Sequence, residues 1–177
     1  MKTNLTKKQV SSLCSKDNKH GSIKGLYYEP EKKRLTATNG HALITYNVES
    51  DENDSTSVVP AELFKAKKTD ICKYEINGVA SRITGTEKSS YNLIDEKFPD
   101  YESVTPEIEN SHEIAINLEL LKKLCDAVPV DSNKNKYIKL TIDKDSSSRA
   151  IKFQQYDSSN EENCNYNGLI MPVRINK

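Results

Sequence analysis

The chain has 177 residues, a length that suits one domain or two small ones. Its 26 basic and 26 acidic residues give a formal net charge of zero, which argues against a generally basic nucleic-acid binder. No apolar run is long enough to span a membrane, no signal peptide is visible, and the four cysteines are scattered, so we expect a cytoplasmic protein with reduced thiols.

The chain can be read as one pattern written three times: a strand, a helix and a few antiparallel strands. Residues 1–50, 51–110 and 111–177 each hold one copy, and the polar linkers 49–57 and 107–111 separate them. Few residues match between the copies, so this division depends on the order of the elements. It predicts an α+β protein with curved antiparallel sheets and helices on one face.

In the first copy, Thr6 and Gln9 form a capping box that predicts a helix to about Cys14. A short strand is predicted before this helix. The predicted strands lie at residues 3–5, 23–28, 34–38 and 42–48.

A tight turn is predicted at Asn39 and Gly40, because this pair favours positive φ between two strands. His41 follows at once, so a titratable ring stands at the mouth of the turn. Taken alone, this histidine is more typical of a surface turn than of a functional site. The stretch by itself therefore assigns no role to His41.

The second copy begins a helix at Pro60 that is predicted to run to about Lys67. Its strands are predicted at residues 72–76, 80–84 and 89–94, with a hairpin turn at residues 77–78. In the third copy, Asn117 caps the clearest helix, residues 118–128. The strands predicted there are residues 113–116, 136–142, 149–155 and 165–173.

The sequence contains no Walker loop, GxGxxG, GxSxG or HExxH motif. The acidic stretch 51–54 lacks the glycine and the terminal glutamate of a calcium loop, so we expect a solvated linker there. Cys14 and Cys125 lie on apolar helix faces and are expected to be structural thiols. We therefore expect no catalytic residue, no metal and no cofactor, and a protein that is not an enzyme.

Paired lysines recur on the three predicted helices. They are Lys7, Lys8, Lys65, Lys67, Lys68, Lys122 and Lys123. Lysines on the outer side of a helix are usually solvated surface. If the three helices share one face, however, these lysines would form a stripe that contacts DNA phosphates without reading bases. Both interpretations stay open at this point.

Three segments resemble sequences of bacterial sliding clamps, the beta subunit of DNA polymerase III. Residues 34–43, RLTATNGHAL, resemble the family's ATDGHRL, and residues 97–106, KFPDYESVTP, resemble KFPDYRRVLP. Residues 169–175, LIMPVRI, resemble the C-terminal VVMPMRL. The resemblance implies clamp-like half-modules over nearly the whole chain. Family members have three domains of two half-modules each, whereas this chain has three half-modules.

In the family, the three segments converge on a hydrophobic pocket that captures short peptides from polymerases and other clamp users. Carried over by motif, the pocket residues are Thr38, Gly40, His41, Leu43, Pro106, Met171, Pro172, Val173 and Arg174. Leucine and methionine would form adaptable apolar walls. Asn39 replaces the family's Asp and Ala42 replaces its Arg. The loss of that Arg removes a positive charge at the rim, so we expect the peptide preference to differ.

The resemblance implies a sliding-clamp-like protein, either a DNA replication processivity factor or a module that binds replication proteins. Its expected partners are the replicative DNA polymerase or other proteins with a clamp-binding peptide, and double-stranded DNA without sequence preference. Further copies of the chain are also expected, because four chains would supply the twelve half-modules of a family ring. The alternative is a phage or mobile-element decoy or regulator that binds replication proteins without encircling DNA.

Overall fold

The structure is a computed structural model, and it describes residues 1–16, 21–66, 72–105, 113–128, 137–143, 149–156 and 166–173. The chain divides into two compact units, Met1–Thr105 and Pro106–Lys177. The first unit contains nearly all of the two predicted half-modules 1–50 and 51–110. The division into three half-modules stays a prediction.

The first unit is built from two antiparallel sheets. Its strands are β1 (Gly25–Glu29), β2 (Arg34–Thr38), β3 (Leu43–Asn47), β4 (Ser57–Pro60), β5 (Cys72–Asn77), β6 (Val79–Thr84) and β7 (Glu87–Tyr91). One sheet has the order β3-β2-β1-β4 and the other has the order β5-β6-β7. The predicted hairpin turn between β5 and β6 is confirmed, and Gly78 adopts the positive φ of 67° that such a turn requires.

The helices of the first unit are shorter than the sequence predicts. Helix α1 is only Lys7–Val10, although the capping box between Thr6 and Gln9 is present. The Ser12 hydroxyl donates to the Gln9 carbonyl at 2.6 Å, and serines that bond to nearby backbone in this way disfavour continuation of the helix. The second predicted helix is a 3₁₀ turn, Ala61–Phe64.

The core of the first unit lies between its sheets and these two short helical segments. The largest fully buried apolar side chains in it are Met1, Val10, Leu26, Tyr28, Leu35, Val59, Leu63, Phe64, Tyr74 and Ile76. Helix α1 packs against the Ala61–Phe64 turn, and the Phe64 and Tyr74 rings lie 5.3 Å apart. Residues from both predicted half-modules therefore share one core, which joins them into a single unit.

The described part of the second unit contains one helix and one antiparallel sheet. Its elements are α2 (Leu118–Ala127), β8 (Ile138–Thr141), β9 (Ile151–Gln155) and β10 (Asn167–Ile170), with the sheet order β10-β9-β8. The predicted cap is confirmed, because Asn117 Oδ1 accepts the backbone N–H groups of Glu119 and Leu120 at 2.9 and 3.2 Å. Strand register places Leu140 beside Phe153 on one apolar face.

The two thiols predicted to be structural differ in their surroundings. Cys14 is buried in the first core, and burial, with a smaller effect of the Glu62 carboxylate, raises the pKa of its thiol to about 11. Cys125 is exposed, because α2 buries none of its residues. The prediction of a structural thiol on an apolar face is therefore wrong for Cys125.

Candidate functional site

The turn after β2 is held by side-chain oxygens. Asn39 Oδ1 accepts the backbone N–H groups of His41 and Ala42, both at 2.9 Å. Thr38 Oγ1 accepts the N–H of Gly40 at 3.1 Å, and Gly40 has a φ of 86°. Glycine reaches this conformation without the steric penalty of a Cβ. The predicted tight turn is thus confirmed, and it carries the exposed His41 side chain.

A groove of about 620 Å³ opens beside this turn and lies wholly within the first unit. Its lining residues are Ser15, Ser22, Ile23, Asn39, Gly40, His41 and Pro99. Ile23 and Pro99 offer apolar contact, whereas His41 and Asn39 offer hydrogen-bonding groups. The groove can therefore hold an apolar side chain together with polar atoms of a peptide backbone.

The KFPDY segment brings Pro99 to this groove by packing its aromatic rings against β1. The Phe98 ring stacks on Tyr27 with centroids 5.1 Å apart, and Tyr101 meets both rings edge-on at 6.5 Å. The Tyr101 hydroxyl donates to the buried carboxylate of Glu29 at 2.5 Å. Burial, and then this hydrogen bond, raise the pKa of Tyr101. The aromatic packing gives Pro99 a fixed position.

The predicted pocket residues of the first unit take different positions. Gly40 and His41 line the groove. Thr38 is buried and supports the turn, while Leu43 lies opposite it on β3 with its side chain exposed. Pro106 lies outside the described residues.

Five lining residues were not among the predicted pocket residues: Ser15, Ser22, Ile23, Asn39 and Pro99. Pro99 could have been found, because it lies inside the KFPDY segment that carries the resemblance. Ile23 was expected to begin a strand, but it lies in the 3₁₀ turn Ser22–Lys24 that precedes β1. Ser15 and Ser22 carry no sequence signal, since their position depends on how the chain returns to the His41 turn.

The predicted pocket residues of the second unit lie just beyond β10. Met171 is 58% exposed, Val173 is also exposed, and Pro172 is half-buried. The Val173 N–H donates to the Ala115 carbonyl at 2.8 Å, which fixes this strand end within its unit. Arg174 lies outside the part of the chain that the structure describes.

The lysines predicted to face DNA are not equivalent. Lys7 forms an ion pair with Glu62, with 3.0 Å between Nζ and Oε1, and its hydrogen bond lowers the pKa of that carboxyl. The exposed lysines are Lys8, Lys65, Lys122 and Lys123. Lys65 follows the 3₁₀ turn and does not lie on a helix, so the prediction of three lysine-bearing helices is wrong at this point. Lys67 and Lys68 lie outside the described residues.

The described residues contain neither a metal-binding cluster nor a membrane-spanning helix. They contain no group of three His, Cys, Asp or Glu side chains that could hold a metal ion. The longest helix among them, α2, has ten residues, and none is both long and apolar enough to cross a membrane.

Solved structures of bacterial sliding clamps are similar to this chain. The DNA polymerase sliding clamp of Bacillus subtilis aligns with a TM-score of 0.68 and 18% identity over 94% of this chain and 46% of that chain. The C. crescentus beta sliding clamp aligns with a TM-score of 0.67 and 18% identity, over 94% of this chain and 47% of that chain. The H. pylori beta clamp in complex with diflunisal aligns with a TM-score of 0.63 and 20% identity, over 97% of this chain and 48% of that chain.

The sequence comparisons give a different result. No protein-family model and no curated protein matches this chain. The chain spans about half the length of the solved clamps that it matches. Its antiparallel sheets and short helices, arranged as described above, have the fold of the bacterial sliding clamps, over about half of a clamp subunit.

Proposed function

We propose that this chain is a sliding-clamp-like protein of DNA replication that captures short peptides of its partner proteins and catalyses no reaction. The observation that carries the proposal is the groove beside His41. Two of the three segments that resemble clamp sequences contribute four of its seven lining residues, and the groove combines apolar and hydrogen-bonding groups. Such a surface suits a short peptide that docks a few side chains as anchors.

The third segment supports the same proposal. Met171 is largely exposed beside Pro172, where a flexible thioether can adapt to several apolar partners. The proposed partner is the replicative polymerase or another replication protein with a clamp-binding peptide. Because Ala42 stands where the family has Arg, the rim lacks that positive side chain, and we propose that acidic peptide residues contribute less to binding.

Fluorescence anisotropy of a labelled clamp-motif peptide tests this proposal. His41→Ala and Met171→Ala are each expected to weaken binding about tenfold, which corresponds to about 1.4 kcal/mol. Leu169→Ala is the matched control, because Leu169 is also exposed and lies two residues from Met171. Equal affinity of the wild type and both variants would contradict the proposal, as would failure of the wild type to bind.

A second experiment separates a processivity factor from a regulator that acts without DNA. A clamp stays on closed circular DNA and leaves it after linearisation, whereas the regulator binds peptide without being retained. The exposed lysines Lys8, Lys65, Lys122 and Lys123 are the groups proposed to contact phosphates. Their replacement by alanine is expected to lower DNA affinity and to flatten its salt dependence.

A further inference from the structure

Strand pairing in the first unit closes into a ring. Lys2, which precedes α1, pairs with Glu49 beyond β3 and with Lys73 in β5. Strand β4, which precedes the 3₁₀ turn, pairs with β1 on one side and contacts Ile94, beyond β7, on the other. Each sheet of this unit is thus continued at both edges by a segment that precedes a helix.

The second unit repeats half of this ring. Ala115, which precedes α2, pairs with Val173 beyond β10, just as Lys2 pairs with Glu49. The sheet then continues through β9 and ends at β8. In the first unit, the strands equivalent to β8 are β1 and β5, and each has a pre-helical segment on its far side. The described residues of the second unit include no such neighbour for β8.

One open edge of this half ring is β8. The Tyr156 N–H donates to the Tyr137 carbonyl at 3.1 Å, which identifies this pair as hydrogen-bonded. Hydrogen-bonded and non-hydrogen-bonded pairs alternate along an antiparallel ladder, so the backbone groups of Ile138 and Leu140 point away from β9. The side chains of Ile138, Leu140 and Ile142 are 37%, 44% and 43% exposed. The edge is therefore both apolar and open for strand pairing.

The other open edge is the segment that precedes α2. The Val173 N–H donates to the Ala115 carbonyl at 2.8 Å. By the same alternation, the backbone groups of Ile114 and Ile116 point away from Val173. Among the described residues, β8 at one end of the half ring therefore has no pre-helical neighbour, and the pre-helical segment at the other end has no second strand beside it.

We propose that two copies of this chain pair through their second units, with residues 113–116 of each copy added antiparallel to β8 of the other. The two half rings would then close as the first unit does, about a two-fold axis. Such an interface is self-complementary, because every contact occurs twice. The proposal goes beyond peptide capture and does not depend on it.

The register of this pairing follows from the first unit, where Tyr27 of β1 lies opposite Val58 of β4. The equivalent pair in the dimer is Lys139 opposite Ala115. Ile116 then lies beside Ile138, and Ile114 beside Leu140, so apolar side chains meet on the inner face. Thr141 lies opposite Glu113, which places the Glu113 carboxylate diagonal to the Lys139 ammonium on the outer face.

Helix α2 fits the same arrangement. In the first unit, α1 packs against the Ala61–Phe64 turn of the other half. In the second unit, Leu118 and Leu120 of α2 are both exposed. The two-fold pairing would bring the two copies of α2 together, as the two helical segments of the first unit meet, and would bury these leucines.

Light scattering of the full chain tests the proposal by mass. The wild type is expected at twice the chain mass of 20.0 kDa, or at a higher even multiple, at micromolar concentration. Leu140→Lys is expected to reduce the mass at least twofold, because an edge lysine opposes strand addition. Leu169→Lys is the matched control: Leu169 lies on the opposite face of the same sheet and is exposed, so the mass should not change. A monomeric wild type, or a folded Leu140→Lys protein with unchanged mass, would overturn the proposal.

A disulfide trap tests the register even if Leu140→Lys fails to fold. In a Cys125→Ser background, Glu113→Cys with Thr141→Cys is expected to give a covalent dimer under mild oxidation, because the two positions form a non-hydrogen-bonded pair with close Cβ atoms. Within one chain they lie at opposite ends of the half ring. Each single cysteine variant should stay uncrosslinked. A doubly substituted chain that yields no more covalent dimer than the single variants would overturn the register.

Discussion

Replacement of Asp54 by asparagine is expected to destabilise the first unit strongly. The Asp54 side chain is 3% exposed. Its Oδ2 accepts hydrogen bonds from the Met1 ammonium at 2.7 Å and from the Tyr28 hydroxyl at 2.8 Å, and its Oδ1 accepts the Ile76 N–H at 2.9 Å. This carboxylate therefore ties the segment between the two predicted half-modules to β1 and β5.

The size of the expected loss in the free energy of unfolding follows from the buried charge of Asp54. Asparagine keeps the shape of the side chain, but it removes the negative charge that faces the buried ammonium of Met1. Removal of one partner from a buried ion pair costs about 3–5 kcal/mol. The amide keeps one acceptor oxygen for a neighbouring donor, so we expect a loss of about 3 kcal/mol in the free energy of unfolding.

The same contacts make the stability of the first unit depend on pH. Burial alone would raise the pKa of Asp54, but hydrogen bonds from the ammonium, Ile76, Tyr28 and the Asp51 N–H outweigh it and lower the pKa below the ordinary 3.8. Because the folded pKa lies below the unfolded pKa, the stabilisation is fully present above pH 3.8 and is lost as the pH falls through the folded value. The asparagine variant should lack this component of the acid-induced loss of stability.

Urea unfolding followed by circular dichroism, at neutral and at acidic pH, measures both effects. Asp51→Asn is the matched control, because the Asp51 side chain is 38% exposed. Within the described part of the chain, its one ion-pair partner is the Lys73 ammonium, at 3.7 Å. That surface pair contributes about 1 kcal/mol or less. An Asp54→Asn protein within about 1 kcal/mol of the wild type, or with the same acid dependence, would refute the reasoning.

Two further predictions concern single groups of the first unit. Asn39→Ala should lower the free energy of unfolding by about 1 kcal/mol, because the N–H groups of His41 and Ala42 lose their acceptor. Asn39→Asp keeps an acceptor oxygen and should keep this stabilisation. Equal losses for the two variants in urea unfolding would contradict the role of the Asn39 side chain in the turn. Cys14 should react with an aromatic disulfide at neutral pH far more slowly than the exposed Cys125, because burial keeps the Cys14 thiol protonated. A spectrophotometric assay measures both reaction rates. Equal rates for the two thiols would contradict the burial of Cys14.

The strands and turns of this fold were largely predictable, because local signals determine them. The alternation in residues 34–38 predicted β2 with its observed bounds, and the Asn-Gly pair at 77–78 predicted the observed hairpin. The helices were less predictable. Helix α1 stops after four residues, where the Ser12 hydroxyl bonds to the Gln9 carbonyl, a competition that the apolar spacing of the sequence does not reveal.

The candidate site was predictable only in part. The Asn39 turn and its exposed histidine follow from the local sequence, and the resemblance pointed to the segment that contains Pro99. Asp54 was expected in a solvated linker, and this prediction is wrong. Its burial depends on Met1 and Ile76, which are distant in sequence, and no local pattern signals such partners.

Peptide binding by the full chain tests the central proposal most directly. The measurement is the anisotropy of a labelled clamp-motif peptide titrated with the wild type and with a variant that lacks residues 171–177, both checked for folding by circular dichroism. We predict saturable binding by the wild type and binding weakened at least tenfold in the shortened variant. Absence of binding by the folded wild type, or equal affinity of the two proteins, would contradict the proposed role in peptide capture.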